Sequence, residues 1–453
     1  MAFTTFQNKI IRTLRVKNEN LPGVLGRLAT TIGDLGGLFG DIKTISIGRQ
    51  YTVRDMDIEV DDEAHLERIL EGLRKLKPVQ ILEVRDEVLE FHLRGKIEMV
   101  STHPVRTIAN LRKIYTPGVA TVCRAILENP DFAWLYTAIP QLVAIVTNGS
   151  RVLGLGDIGP VASMPVMEGK AALLSQLTGL SGVPILIDSH DANEIVETVL
   201  HISPTFGAIH LEDISTPLCY EVEARLIEAL DKPVMHDDQH GTAVVALAAL
   251  INAARISGLD LRSLTMGQIG LGAAGLAIAR MLMSYTSRPV LGADLNPDAM
   301  ERFRAAGGTP STLEEIMRDA EVVVACSGVP NLIKPNMVRK GQVILALTNP
   351  DPEIKPTRAM AHGARFAADG RSVNNLLGYP GIWKGSLDAR ARKITREMFV
   401  AAAESIAAQA EEGELVPSPI SKRVHREVAR AVARAAMESG VARIKLDEDY
   451  FHS

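Results

Sequence analysis

The stretch that decides the fold is LTMGQIGLGAAGLAIARML, residues 264–282. An apolar, strand-like run leads into the glycine pattern GLGAAG at 270–275, and a helix-like run follows at once. In this G-x-G-x-x-G arrangement Gly270 permits a tight turn and Gly272 lets the backbone approach a pyrophosphate. Gly275 allows close packing of the helix on the strand. The stretch therefore predicts a dinucleotide-binding unit of the Rossmann type.

An acidic residue indicates which dinucleotide is bound. Asp294 ends the next strand-like run, PVLGAD at 289–294. A carboxylate there accepts hydrogen bonds from the adenosine ribose and repels a 2′-phosphate, which favours NAD over NADP. The strand-like runs EVVVACSG at 321–328 and QVILALTN at 342–349 continue the pattern. We therefore expect a doubly wound parallel sheet within a Rossmann NAD-binding domain over residues 257–410.

The region before it, residues 93–256, has a similar pattern. LVAIVTN at 142–148, GVPILID at 182–188 and FGAIHLED at 206–213 are short apolar runs with polar ends. Such runs are typical of buried parallel strands whose carboxyl ends face a cleft. We therefore expect a second α/β domain here, while the far end of the chain, 411–453, is predicted to be a helical tail.

The first residues, 1–92, predict a separate small domain. Their apolar periodicity gives the order strand-helix-strand-strand-helix-strand, which is the ferredoxin-like α+β arrangement. The segment NENLPGVLGRLATTIGDLGG, at 18–37, occupies the first strand-helix turn and resembles an ACT domain. That resemblance implies a regulatory role and a small-molecule effector bound near this turn.

Composition excludes several classes of function. The chain has 453 residues and a formal net charge of −5 without a basic block, so nucleic acid is an unfavoured partner. Its three cysteines are widely spaced, which favours a reducing compartment and no structural zinc. We see no signal-peptide pattern and no apolar run near the ~20 residues needed to cross a bilayer. The expectation is a soluble cytoplasmic protein without a membrane partner, and a homodimer or larger homo-oligomer.

Carboxylates cluster at the ends of predicted elements. Glu212 and Asp213 end one strand-like run, and Asp237 and Asp238 stand just before a strongly apolar helix at 242–257. Oxygen ligands of this kind suit Mg²⁺ or Mn²⁺. Helix caps and solvated loop acids are the alternative interpretation, which the sequence leaves open.

Lys170 is a candidate general base. It lies in MPVMEGKAALL, at 164–174, where we expect a helix to start, and both the helix dipole and a nearby cation would favour its neutral amine. A solvated surface lysine is the alternative. A second glycine pattern, at 154–159, is predicted to be an active-site loop, because Pro160 and Pro165 disfavour an uninterrupted helix after it.

Eight motifs occur together in one order: IYTPGVA, SRVLGLGDIG, MPVMEGKAALL, HLEDI, HDDQHGTAVV, GLGAAG, ALTNP and VNNLLGYPG. In that order they resemble the bacterial-type NAD-dependent malic enzymes, over residues from about 95 to 440. The resemblance implies a malic-enzyme-like catalytic domain, a Rossmann NAD-binding domain and the preceding ACT-like domain. The implied reaction is oxidative decarboxylation of malate to pyruvate and CO₂, with reduction of NAD and a divalent metal ion.

The resemblance also implies catalytic roles. Tyr115 would be the general acid that protonates the enol of pyruvate. Lys170 would be the general base that takes the malate hydroxyl proton, with Asp237 as an auxiliary in proton transfer. The implied ligands of Mg²⁺ or Mn²⁺ are Glu212, Asp213 and Asp238.

Binding roles follow in the same way. Arg151 would grip a malate carboxylate, which suits a guanidinium fork. The family's larger members have Gln-Gly before the double asparagine, whereas this chain has Ser372-Val373. The implied substrate contacts are Arg151, Asn349 and Asn375. The implied cofactor contacts are Gly270, Gly272, Gly275, Asp294, Asn349 and Asn374.

Two other functions fit parts of the sequence. A metal-independent amino-acid or hydroxy-acid dehydrogenase would also have two α/β domains, but a chelator would leave it active. A regulatory ligand-binding protein that has lost catalysis would use the ACT-like domain alone, and it would not turn over malate.

Overall fold

The computed structural model describes residues 9–152, 154–370 and 373–452. The chain separates into two compact units, residues 1–96 and 97–453. The finer boundaries that the sequence suggests, after residues 92, 256 and 410, stay predictions. No helix in the described part of the chain is both long enough and apolar enough to span a membrane.

The first unit has the predicted ferredoxin-like order of elements. Its elements are β1 (Ile10–Glu19), α1 (Val24–Asp34), β2 (Leu38–Ile47), β3 (Tyr51–Val60), α2 (Glu63–Arg74), β4 (Val79–Asp86) and α3 (Glu87–Phe91). The antiparallel sheet has the order β2-β3-β1-β4. Leu14, Met56 and Ile58 alternate with polar residues along their strands, and they pack on Leu28 and Ile69 of the two helices. The period-2 pattern of the strands therefore builds a one-sided core.

An ion-pair network lies on the strands β1, β3 and β4 of this unit. The Asp55 carboxylate accepts from Arg15 Nε and Arg15 Nη2, each at 2.8 Å, and from Arg85 Nη2 at 2.6 Å. These hydrogen bonds and charges, chiefly those of Arg15, lower the pKa of Asp55.

The second unit opens with short helices and then forms a four-stranded sheet. The elements are α4 (Ile108–Ile114), α5 (Val119–Glu128), α6 (Ala133–Tyr136), β5 (Leu142–Thr147), α7 (Gly159–Thr178), β6 (Ser181–Leu186), α8 (Ala192–Ile202), β7 (Ala208–Leu211), α9 (Leu218–Ala229), β8 (Val234–His236) and α10 (Asp237–Ile256). The strand order is β6-β5-β7-β8, and every pairing is parallel. The carboxyl ends of these strands therefore share one edge of the sheet.

A six-stranded sheet follows. Its elements and the closing helices are β9 (Met266–Ile269), α11 (Ala273–Thr286), β10 (Leu291–Ala293), α12 (Pro297–Ala305), β11 (Thr309–Pro310), α13 (Leu313–Asp319), β12 (Val322–Ala325), β13 (Val343–Ala346), α14 (Pro356–Ala361), β14 (Phe366–Asp369), α15 (Tyr379–Asp388), α16 (Arg396–Ala408), α17 (Lys422–Glu438) and α18 (Glu448–His452). The parallel order β11-β10-β9-β12-β13-β14 is that of a Rossmann sheet, as predicted.

Helix α10 lies at the centre of the second unit. Most of its residues are buried, and its core includes Val143 of β5, Met266 of β9 and Val428 of α17. Asn252 of this helix donates hydrogen bonds to the carbonyls of Ala407 and Leu415, each at 2.9 Å. The first turn of α10 is therefore carried by a buried helix that packs along α11, which follows the glycine loop, and along α16 of the closing helices.

Candidate active site

Three carboxylates converge where β7 ends and α10 begins. Glu212 and Asp213 follow the last residue of β7, and Asp238 lies in the first turn of α10. Asp213 has a φ of 53°, in the left-handed region, so the chain turns and two consecutive side chains no longer face opposite ways. Each residue places a carboxylate oxygen within 4.8 Å of the others. The Asp213 N–H also donates to Asp238 Oδ2 at 3.0 Å.

These carboxylates fit a hard divalent cation. Burial and neighbouring carboxylates raise the pKa of Asp213 to about 8, and burial is also the main cause that raises the pKa of Glu212 to about 7. Asp213 Oδ2 is buried and has no hydrogen-bond partner among the described residues. These carboxylate oxygens are crowded and have too few hydrogen-bond donors. A bound Mg²⁺ or Mn²⁺ would coordinate them and balance their charge.

A second group of possible ligands, His210, Glu212 and Asp237, also lies within 4.8 Å. In that group the two ring nitrogens of His210 already contact Trp383 and Glu212. The carboxylates Glu212, Asp213 and Asp238 therefore make the better cation site.

Lys170 reaches the carboxylates from α7. Its Nζ lies 2.5 Å from Asp237 Oδ2 and 3.1 Å from Glu212 Oε1. Burial lowers the pKa of the Lys170 amine, but the charges of Asp237 and Glu212 outweigh burial and raise that pKa well above its ordinary value. The lysine is thus a buried, ion-paired group rather than a solvated one.

Two sequence-based expectations about this helix are wrong. Lys170 lies in the middle of α7, not near its N-terminus, so the helix dipole does not favour the neutral amine. The prolines also do not prevent an uninterrupted helix. Pro160 lies in the first turn, where no N–H is needed, and Pro165 is accommodated inside a helix whose Met167 and Leu174 pack in the core.

Asp237 lies at the centre of the polar group around Lys170. Its Oδ2 accepts from Lys170 Nζ and also from Asn375 Nδ2 at 3.0 Å. Its Oδ1 is buried without a hydrogen-bond partner among the described residues. Gly241, one turn further along α10, leaves the space for this oxygen, since a Cβ there would lie 1.9 Å from Oδ1.

Three aromatic residues of the site were not predicted. Tyr379 places its ring 4.6 Å from Lys170 Nζ. Trp383 Nε1 donates to His210 Nδ1 at 2.9 Å, and His210 Nε2 contacts Glu212 Oε2 at 2.6 Å. Alternation along β7 could have indicated His210, because residues i and i+2 of a strand share a face. Tyr379 and Trp383 come from α15, more than 160 residues away in sequence, and had no local signal.

Glu223 of α9 stabilises the start of α10 through hydrogen bonds. It accepts from the His236 backbone N–H at 2.7 Å, from Gln239 Nε2 at 3.1 Å and from His240 Nε2 at 3.2 Å. These groups flank Asp237 and Asp238 on both sides, so the first turn is held by a single buried carboxylate.

The glycine loop has the geometry of a dinucleotide site. Gly270 has a φ of +83°, and a Cβ on Gly275 would lie 1.9 Å from the Gly270 carbonyl oxygen. Around Gly272, the residue before α11, no atom of the described residues other than its own chain neighbours lies within 4 Å of a built Cβ, so a pyrophosphate has room there. Asp294 Oδ2 accepts from the Leu271 N–H at 2.6 Å, and its Oδ1 accepts from the Asn296 N–H at 2.8 Å. These residues fit NAD.

The remaining predicted residues are placed less centrally. The Arg151 N–H donates to the Asp213 carbonyl at 3.1 Å, and its side chain is exposed. Asn349 is exposed after β13. The Asn374 side chain caps the short helix Asn375–Leu377 by accepting from the Leu376 N–H. Ser372, which marks the departure before the double asparagine, lies outside the described residues.

Tyr115 stands apart from the buried group. It follows α4 and is 67% exposed. Within the part of the chain that the structure describes, no hydrogen bond or ring contact joins it to Lys170. The structure thus gathers the basic and acidic residues but leaves the predicted general acid on the surface.

Comparison with known proteins agrees with this fold. The family model of the malic enzyme N-terminal domain matches residues 94–194, that of the malic enzyme NAD-binding domain matches 356–440, and that of the ACT domain matches 7–83. The crystal structure of a malic enzyme from Pyrococcus horikoshii superposes with a TM-score of 0.77 at 40% identity, and the match covers 81% of this chain and 94% of that one.

Curated relatives extend over nearly the whole chain. NAD-dependent malic enzyme 1 of Bacillus subtilis (strain 168) is 53% identical over 430 residues, which cover 94% of this chain and 98% of that protein. The NAD-dependent malic enzyme of Geobacillus stearothermophilus is 41% identical over 457 residues, with 95% of each covered. The chain therefore belongs to the malic enzyme family. In this chain an ACT domain precedes the malic enzyme domains, and the predicted family and fold class are confirmed.

Proposed function

We propose that the chain catalyses the oxidative decarboxylation of malate to pyruvate and CO₂, with reduction of NAD⁺ and dependence on Mg²⁺ or Mn²⁺. The observation that carries the proposal is the Lys170 amine, held between Asp237 and Glu212 beside the carboxylates of Asp213 and Asp238. Oxidation of a 2-hydroxy acid requires a group that accepts the hydroxyl proton. Loss of the β-carboxylate then requires stabilisation of the enolate, and a cation site next to that base serves both steps.

Each protein group has a defined task. Lys170 first passes its own proton to Asp237, the carboxylate 2.5 Å away, and its neutral amine then takes the hydroxyl proton of malate. NAD⁺, held at the glycine loop by Gly270, Gly272 and Gly275, would supply the acceptor for the hydride that leaves C2 of malate. A divalent cation held by Glu212, Asp213 and Asp238 would polarise the substrate oxygen and, by its charge, favour the neutral amine of Lys170.

The chemistry ends with a proton transfer to carbon. After CO₂ leaves, Tyr115 delivers a proton to C3 of the enol, which gives pyruvate. Substrate is held by Arg151, Asn349 and Asn375. Two contacts support this assignment, since Arg151 is bonded through its backbone to Asp213 and Asn375 is bonded to Asp237.

One assay tests the reaction. NADH formation from L-malate is measured with Mn²⁺ and again after chelation, for the wild type, Lys170→Ala and the control Lys340→Ala, which changes an exposed lysine. We expect turnover that needs Mn²⁺, is lost in Lys170→Ala and is kept in the control. Full activity after chelation would contradict the proposal and favour a metal-independent dehydrogenase.

A second assay isolates the acid. Exchange of the pyruvate methyl hydrogens with solvent D₂O, followed by NMR, requires only the enolisation step. We expect this exchange to collapse in Tyr115→Phe, because the phenol O–H is the proton donor. Exchange at the wild-type rate would show that another group supplies the proton.

We propose that the protein is a homo-oligomer whose subunits pack through residues 97–136. Helices α4, α5 and α6 contain no buried residue, and Met99 and Leu127 are 90% and 84% exposed. Light scattering of Leu127→Glu should show a smaller species, whereas Ile420→Glu, an exposed change elsewhere, should not. An unchanged mass for Leu127→Glu would contradict this surface.

We propose that the first unit binds a small effector, an amino acid or a central metabolite, at the turn Asn18–Gly26. Gly23 there has a φ of 81° just before α1, which lets backbone approach a ligand. Deletion of residues 1–90 should leave malate turnover but abolish the response to the effector in a metabolite screen. An identical response after deletion, or none in the full chain, would leave only a stabilising or dimerising role.

We also propose a cytoplasmic location. The support is chemical, since Cys123, Cys219 and Cys326 are all unpaired thiols, as in proteins of reducing compartments. Fractionation of cells that produce the protein tests this, and recovery with a secreted fraction would contradict it.

A further inference from the structure

A buried chain of hydrogen bonds runs from α15 to the proposed cation site. Trp383 Nε1 lies 2.9 Å from His210 Nδ1, and His210 Nε2 lies 2.6 Å from Glu212 Oε2. Trp383, His210 and Glu212 are 0%, 1% and 3% exposed. No step of the proposed reaction uses Trp383 or His210, so their burial next to the carboxylate needs another explanation.

The order of donors in this chain fixes the state of the imidazole. An indole N–H can only donate, so His210 Nδ1 must accept from Trp383. The ring proton of the neutral imidazole then lies on Nε2, which donates to Glu212 Oε2. Tyr379 contacts the same ring in an edge-to-face arrangement, with centroids 5.5 Å apart, and keeps water from it.

The two oxygens of Glu212 are thereby assigned different partners. Oε2 is engaged by His210 Nε2, while Oε1 faces Lys170 Nζ at 3.1 Å. If the donor from Trp383 is lost, the imidazole can carry its proton on Nδ1, and the unprotonated Nε2 then repels the carboxylate. The Glu212 carboxylate would rotate. Its contact with Lys170 and its orientation toward the cation site would both change.

We infer that Trp383 and His210 are positioning residues that orient the Glu212 carboxylate for the divalent cation, with Trp383 acting by fixing the tautomer of His210. The inference rests on the proposed function in one respect, namely that Glu212 is a cation ligand. Groups that hydrogen-bond to a metal ligand commonly change metal affinity by roughly 10- to 100-fold when they are removed.

The test measures Mn²⁺ affinity directly, by the electron paramagnetic resonance signal of free Mn²⁺ in the absence of substrate. Trp383→Phe keeps an aromatic ring but removes the N–H, and we expect Mn²⁺ binding to weaken about 10-fold. Trp134→Phe makes the same change at the other tryptophan, which packs under Arg390, and should bind as the wild type does.

A pair of substitutions at His210 separates hydrogen bonding from packing. His210→Gln keeps a side-chain N–H that can donate to Glu212, whereas His210→Leu keeps volume without a donor. We expect His210→Leu to lose more than 10-fold in Mn²⁺ affinity and His210→Gln to recover most of that loss. If circular dichroism shows that Trp383→Phe does not fold, the two His210 variants still test whether the hydrogen bond to Glu212 sets the Mn²⁺ affinity.

The outcomes are distinct. Wild-type affinity in a folded Trp383→Phe, or equal losses in His210→Gln and His210→Leu, would overturn the positioning role while the proposed reaction stands. A wild-type protein that binds no Mn²⁺ at all would overturn both the cation site and this inference.

Discussion

Replacing Gly241 by alanine should separate catalysis from stability. Gly241 lies on α10 one turn after Asp237, and an alanine Cβ there would lie 1.9 Å from Asp237 Oδ1. Ordinary contact begins near 3.4 Å, so this oxygen must move by the difference, about 1.5 Å. The helix backbone cannot give way easily, because Gly241 is buried in the core of the second unit.

The displacement acts on the polar group that joins Asp237 to Lys170 and Asn375. Asp237 is a short side chain whose other oxygen is held by Lys170 and Asn375, so turning the carboxylate away from the new Cβ breaks or lengthens those bonds. A misplacement of about 1 Å in a catalytic group can cost around 10²-fold in rate, and we expect a loss of that order in kcat.

Stability should change less than activity in the same variant. Alanine is preferred to glycine inside a helix by about 1 kcal/mol, which offsets part of the cost of moving Asp237. The melting temperature of Gly241→Ala should therefore fall only modestly, while NADH formation from malate with saturating Mn²⁺ falls strongly.

A matched control is Gly33→Ala in α1, where a Cβ meets no atom of the described residues within 4 Å apart from the backbone of its own helix. It should gain up to about 1 kcal/mol of helix stability and keep its turnover. If Gly241→Ala retained wild-type kcat with an unchanged melting curve, the position of Asp237 would not control proton transfer, and the reasoning would fail.

Three further predictions concern single carboxylates. Asp238→Asn should abolish turnover and weaken Mn²⁺ binding with the fold retained, and normal activity would remove Asp238 from the cation site. Asp294→Ala should raise KM for NAD⁺ and reduce the preference for NAD⁺ over NADP⁺. Unaltered kinetics would show that Asp294 only stabilises the glycine loop. In the first unit, Arg15 and Arg85 hold the pKa of Asp55 below its usual range. The stability from this pairing is present above the unfolded pKa, near pH 4, and is lost as pH falls through the lower folded pKa. The free energy of unfolding should therefore depend less on pH in the acidic range for Asp55→Asn than for the wild type. An equal pH dependence in the two proteins would refute the pairing.

Much of the fold could be predicted because its strands are apolar runs with polar ends. The segments at 142–148 and 342–349 are strands as expected. The strands Val234–His236 and Thr309–Pro310 were not predicted, because two or three residues are too few to show a periodicity. Helix bounds were also less certain, since Pro165 suggested an interruption that packing of the helix overrides.

The candidate site was predictable only where it is local in sequence. Glu212 and Asp213, at the end of a strand-like run, were expected to be oxygen ligands of a cation, and the left-handed backbone of Asp213 brings the two carboxylates together. The partner of Lys170 comes from a residue 67 positions away, and Trp383 reaches His210 across 173 positions. A single sequence contains no record of such contacts, and the surroundings of Lys170 could not be read from its position in a helix.

Helix α10 limits how far this protein can be treated as interchangeable parts. Its amino end carries Asp237 and Asp238 of the candidate site, while its length packs on α11 and α16 and its Asn252 is bonded to the carbonyls of Ala407 and Leu415. Consider a chimera that joins this catalytic half to the nucleotide-binding half of another protein. Its nucleotide-binding half would need the residues that pack against α10 as well as the glycine loop. A change of cofactor by domain exchange is thus harder in this architecture than substitution of a few residues around Asp294, and directed evolution should begin with those residues.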